Sequence, residues 1–256
     1  GGGGVTAAAA VARAPADGRT LLLATGGAIT IAPHLNPKLG YDPRKDFVPV
    51  ALVADTPMTL ATRAQSPYTN VADVLKDARD NPGRVSYAST GNGTISHLTG
   101  ELLAQSAGVQ LLHMPYRGAG PAITDLLGGQ VALMVTSAAS IEPMVLDKKA
   151  RVLASFTRER IGALQGAPTM TEAAGLKGLE VPVWVGLLAP SGTPQASVDK
   201  LAADLVAICP QPDTQGGFKG LGAAPPGGGP ADLARVIAED DGRWERVIQQ
   251  GKIKLN

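Results

Sequence analysis

Residues Tyr87 to Leu103 read Y-A-S-T-G-N-G-T-I-S-H-L-T-G-E-L-L. Val85, Tyr87 and Ala88 make a short apolar strand, Ser89 to Gly93 a small hydroxyl-rich turn, and Leu98, Leu102 and Leu103 recur at helical spacing. A strand, a glycine loop and a helix start in that order place free backbone N–H groups and the positive end of a helix dipole together, which suits an anion. Helix starts ordinarily favour Asp or Glu in the first turn, yet no acid occurs here before Glu101.

Working outward, the pattern recurs twice. The strand Leu111–Pro115 runs into Tyr116-Arg117-Gly118-Ala119-Gly120-Pro121 and a helix over Ala122–Leu127, with Pro121 suited to the first helical position and Asp125 the next acid. The strand Val131–Val135 runs into Thr136-Ser137-Ala138-Ala139-Ser140 and another helix, with Glu142 the next acid. By contrast, the helices expected from Thr69 and from Pro230 carry Asp73 and Asp232 in their first turns. If the three acid-free starts converge, each dipole contributes roughly 0.3 to 1 kcal/mol toward a carboxylate. Ser89, Thr90, Thr94, Thr136 and Ser137 would add hydroxyl donors. Gly, Ser and Thr at helix starts are also ordinary capping residues.

The remaining segments alternate strand and helix. An Ala-rich helix, Val5–Ala14, precedes a buried strand, Thr20–Ala24, and a second small-residue loop, Thr25-Gly26-Gly27-Ala28. Val48–Ala54 and Met58–Thr62 are two apolar runs joined by Asp55-Thr56-Pro57, either a hairpin or a crossing between domains. Arg151–Phe156 and Val183–Ala189 read as strands, Gly162–Pro168 as a loop, and Gln195–Ile208 as a helix. Cys209–Gly229 is a Gly/Pro-rich tract with a weak short helix, and a long helix, Pro230–Gln250, closes the chain. This order predicts an α/β fold with largely parallel sheets.

The chain has 256 residues, enough for one large domain or two small ones. Its 23 Lys and Arg against 22 Asp and Glu, with no basic run, argue against nucleic acid as a partner. The single cysteine, Cys209, excludes an intramolecular disulfide and a Cys-rich metal site. No apolar run reaches the roughly 18–20 residues a membrane span needs. His34 and His113 stand far apart without acids at metal spacing, so no metal is expected. Gly91-x-Gly93 fits neither the dinucleotide fingerprint nor the phosphate loop, and no cofactor is expected. A Ser/His hydrolase using Ser96 or Ser89 with His97 is the enzymatic alternative, although Ser96 and His97, adjacent on a helix, point about 100° apart. A degenerate relative that binds nothing is another.

The chain resembles the substrate-binding proteins of tripartite tricarboxylate transporters, the Bug or TctC family. The resemblance rests on Pro15–Thr25 (P-A-D-G-R-T-L-L-L-A-T), Tyr41–Val53, Asn81–Leu98, Pro115–Ala122 (P-Y-R-G-A-G-P-A), Asp125–Val131 and Val185–Pro194 (V-G-L-L-A-P-S-G-T-P), in order and at family spacing. It implies a two-lobed periplasmic binding protein fold of type II, each lobe a mixed or parallel sheet flanked by helices. The first lobe would comprise residues 1–56 and 182–256 and the second 57–181, with Asp55–Met58 and Glu180–Val185 as the crossings. The implied function is that of a monomeric periplasmic receptor without catalysis, which encloses a small carboxylic acid and serves the membrane components of the transporter. Family ligand contacts carry over to Thr25 and Gly26 in one lobe. In the other they fall on Ser89, Thr90, Gly91, Asn92, Gly93, Thr94, Ser96, Tyr116, Gly118, Ala119, Gly120 and Thr136. Family members begin with a strand, a helix and a strand before the position of Gly1, so the first lobe is expected to be N-terminally truncated. Many also carry Asp where this sequence has Thr136, which implies a plainer carboxylic acid here.

Overall fold

The computed structural model describes residues 2–161, 164, 166–220, 223 and 227–254. Gly1, three positions of the expected loop Gly162–Pro168 (Gly162, Ala163 and Gln165) and five of the Gly/Pro-rich tract (Leu221, Gly222, Ala224, Pro225 and Pro226) lie outside the described residues. So do Leu255 and Asn256. The chain divides into two compact units, Gly1–Asp55 with Val183–Asn256, and Thr56–Pro182.

In the first unit the strand order is β1 (Leu22–Thr25), β7 (Pro182–Pro190), then the leading part of β2 (Phe47–Arg63). β1 and β7 are antiparallel, with Leu22 opposite Leu188 and Thr25 opposite Val185. The expected parallel order fails there because β7 is the returning crossing and runs against β1. One face of this sheet buries Leu22, Ala24, Trp184 and Leu188 with Ala8 of helix α1 (Val5–Val11) and Leu233 of helix α11 (Pro230–Gly251). The other packs Val50 and Ala189 on Val198 and Ala202 of α9 (Gln195–Ile208). Two single-turn helices, α2 (Ala32–Leu35) and α3 (Pro43–Asp46), interrupt the stretch before β2, and α10 (Pro212–Gly220) follows α9.

The second unit holds a mixed sheet in the order β6 (Ala150–Ser155), β2, β5 (Leu133–Ser137), β3 (Ser86–Ser89), β4 (Leu112–Pro115). β2 is antiparallel to β5 and β6, whereas β3 is parallel to both β4 and β5. The helices are α4 (Val71–Asp80), α5 (Ile95–Ala107), α6 (Ala119–Leu127), α7 (Ala138–Leu146) and α8 (Met170–Ala174). Helix α4 starts at a reciprocal Asn70–Asp73 capping box, and α5 starts at Thr94 and stops at the left-handed Gly108. Ala61, Ala88 and Met134 of the sheet bury Ala122 and Leu126 of α6 and Ile141 of α7.

Four local expectations are corrected. Asp55-Thr56-Pro57 does not separate two strands but lies inside the single 17-residue β2, since Pro57 fits an extended backbone. Thr25–Ala28 is not a loop: Thr25 ends β1, and a wide helical turn over Gly27–Ile31 follows at once, fully buried. The strand placed at Val131–Val135 sits two residues later, so Thr136 and Ser137 are strand residues and the helix begins directly at Ala138. Pro121 occupies the third rather than the first position of α6, where its missing N–H is still no loss.

Candidate functional site

The strands β3, β4 and β5 share one direction, and β3 lies between the other two. The chain therefore leaves β3 for one side of the sheet and later returns to the other, which opens a crevice beyond the carboxyl ends of the strands. Helices α5, α6 and α7 all begin at that edge, and none has an acid in its first turn. The topology thus brings together the three helix starts that the sequence singles out.

Hydrogen bonds knit the first two loops to each other. The Tyr116 N–H donates to the Ser89 carbonyl at 3.1 Å and the Gly118 N–H to the Thr90 carbonyl at 3.2 Å. Gly91 has φ +143°, and a Cβ there would sit 3.3 Å from the Tyr116 oxygen, so a larger residue would be strained twice over. Ser96 turns its hydroxyl back into the loop, accepting from the Thr90 N–H at 2.9 Å and lying 2.8 and 2.9 Å from the hydroxyls of Thr90 and Thr94. Thr94 caps α5 and donates to the Gly91 carbonyl at 2.7 Å. These hydroxyls shape the loop, while the N–H groups of Asn92, Ile95 and Ser96 carry no hydrogen bond among the described residues. Asn92 and Gly120 are exposed; Gly93 and Ala119 are half-buried.

Tyr116, in the loop before α6, points its hydroxyl onto that helix, donating to Asp125 at 2.7 Å. Thr136 is buried. Its carbonyl accepts from the Thr59 hydroxyl at 2.9 Å, but its own Oγ1 has no partner among the described residues. An unpaired buried hydroxyl at the end of β5 is the kind of group a ligand atom satisfies.

Ser89 is fully buried, with its Oγ 2.7 Å from Nε2 of His113. The His97 ring stacks on His113 at 3.8 Å and 7°. The suggested pairing of Ser96 or Ser89 with His97 therefore does not form: Ser96 faces Thr90 and Thr94, and Ser89 meets His113. Burial holds both imidazoles neutral, His97 down to about 3 with further help from His113, and His113 down to about 4.

In the first unit, Thr25 and Gly26 stand at the end of β1 and the start of the Gly27–Ile31 turn. Thr30 shares its hydroxyl proton between the Gly26 carbonyl at 2.9 Å and Asp240 at 2.7 Å. Asp240, itself buried, also accepts from Trp184 Nε1 at 3.0 Å and from Arg243 at 3.0 Å. Burial raises its carboxyl above the usual range despite these donors. Thr30, Asp240 and His113 are supports that sequence reading missed. Their partners lie 210 and 24 residues away, and only the tertiary pairing brings them into reach.

A family model described as "Tripartite tricarboxylate transporter family receptor" matches residues 1–253. The chain belongs to the tripartite tricarboxylate transporter receptor family. It is a solute-binding receptor with the two-lobed periplasmic binding protein fold. A protein from the tcbD-tcbE intergenic region of Pseudomonas sp. (strain P51) is 40% identical over 256 residues, which is all of this chain and 76% of that protein. Among solved structures, R. palustris Rpa4515 with adipate is 34% identical with TM-score 0.90, covering 99% of this chain and 85% of that one. MatC from Rhodopseudomonas palustris with bound malate is 35% identical with TM-score 0.86, covering 97% of this chain and 85% of that one. No helix among the described residues is long and apolar enough to cross a membrane.

Proposed function

We propose that this chain captures a small carboxylic acid between its two units outside the cytoplasm and presents it to the membrane components of a tripartite transporter, performing no chemistry on it. The observation that carries this reading is the arrival of three acid-free helix starts at one edge of the parallel β5-β3-β4 segment. The unpaired Thr136 hydroxyl and the open N–H groups of Asn92, Ile95 and Ser96 supply donors there. Relatives holding adipate and malate support a dicarboxylate as the class of ligand.

In this reading residues 1–56 with 182–256 form one jaw and 57–181 the other. Thr25 and Gly26 contact the ligand from the first jaw; Ser89 to Thr94, Ser96, Tyr116, Gly118 to Gly120 and Thr136 line the second. The two jaws close when contacts from both favour the liganded state. The receptor acts as a monomer in the periplasm. A hydrolase is disfavoured because the matching family is one of transport receptors and neither Ser89, which meets His113, nor Ser96, which meets Thr90 and Thr94, pairs with His97.

A thermal-shift and calorimetric screen of dicarboxylates, tricarboxylates, aromatic acids and amino acids tests the proposal. Stabilisation by at least one acid and none by its diamide is expected. No response to any acid would overturn it, as would ester turnover that disappears in His113→Ala.

A further inference from the structure

We propose that His97 and His113 act as an imidazole clasp, positioning residues that hold the Ser89–Thr94 loop in its anion-accepting shape without touching the ligand. The inference rests on the binding site proposed above and adds to it two residues from outside the ligand contacts. Each ring grips a different end of the loop. His113 Nε2 bonds Ser89 Oγ at 2.7 Å, and that same oxygen accepts from the Gly91 N–H at 3.2 Å. His97 Nδ1 accepts from the Gly93 N–H at 3.2 Å. The acceptor role fixes the His97 tautomer, with its proton on Nε2, which lies 4.0 Å from Glu101 Oε1.

The rings then hold each other. His97 stacks on His113 with the two rings almost parallel, and Tyr87 stacks on His113 at 5.0 Å and 28°. Tyr87 is anchored in turn by its hydroxyl, which donates to Glu101 at 2.6 Å and lies 3.2 Å from the His97 carbonyl. The stack therefore runs from strand β3 through β4 to helix α5, the elements on either side of the loop. With Gly91 and Gly93 N–H engaged by the clasp, the loop is left presenting the N–H groups of Asn92, Ile95 and Ser96. Fixing those donors before the ligand arrives removes an ordering cost from binding.

Amide hydrogen exchange of the ligand-free protein reads the clasp directly. His97→Phe and His113→Phe keep a flat ring in the stack but remove one loop bond each. They are expected to speed exchange at Gly91 and Gly93 by about tenfold, the scale of one lost hydrogen bond, and to weaken malate binding by about as much. His97→Asn and His113→Gln, which return an acceptor or donor near the lost nitrogen, are expected to recover both to within about threefold of wild type. Unchanged exchange in the Phe variants, equal acceleration in Phe and amide variants, or an unprotected Gly93 amide in wild type overturns the clasp. Because exchange needs no ligand, it still decides the clasp if wild type binds no carboxylate, a result that would instead sink the proposed function.

Discussion

Gly100 allows Tyr87 to lie flat against α5. A Cβ at that position would fall 2.2 Å from the Tyr87 ring, which is completely buried and cannot swing away. Gly100→Ala should therefore cost about 1–3 kcal/mol through overpacking, read as a lower urea midpoint. The histidines beneath that ring give the protein an acid-sensitive stability. An unfolded chain titrates its histidines near 6.5, whereas burial holds His97 near 3 and His113 near 4 in the fold. Between those values the unfolded state binds more protons, so stability is complete above about 6.5 and falls as the pH drops toward 4. Urea midpoints measured across that range should decline, and the decline should be shallower in His97→Phe; an unaltered slope would mean that His97 is not held neutral. None of this was readable locally. Gly100 looks like a helix-weakening residue and His113 like a lone strand histidine, until the register places Tyr87 opposite His113.

Among the elements, α7 offers the sharpest test because its first turn holds only small residues, Ala138, Ala139 and Ser140. A glutamate in a first turn normally stabilises a helix by roughly 0.3–1 kcal/mol. Ala139→Glu is thus expected to leave folding unharmed or slightly improved while weakening carboxylate binding about tenfold or more through repulsion. Unchanged affinity by calorimetry would remove α7 from the site. That the first turns of α5, α6 and α7 lack acids was legible, because capping chemistry is local. Element boundaries were less so: Thr136 and Ser137 read as a loop but are held in β5 by pairing with Thr59 and Met58. Likewise, Asp55-Thr56-Pro57 looks like a break and is carried through in β2 by an extended backbone that needs no apolar side chain there.

For the whole molecule, a ligand that binds only the folded receptor stabilises it by mass action. At about one hundred times its dissociation constant the gain is about 2.7 kcal/mol. For a chain of this size that raises Tm by about 5–10 °C, so a dicarboxylate giving a far smaller shift at saturation would speak against tight capture. The chain passes between the two compact units twice, after Asp55 and after Pro182.

Taken alone, the sequence determined the alternation of strands and helices, the acid-free helix starts and, through ordered motifs along the chain, the family. Those features depend on neighbours a few residues apart, where periodicity and capping act. Only the tertiary structure decided that β3 lies between β4 and β5, that the three helix starts share one edge, and that Ser89 meets His113 rather than His97. Strand order and register come from pairings between distant segments, and no local preference of Tyr87 or His113 encodes which residue will lie opposite.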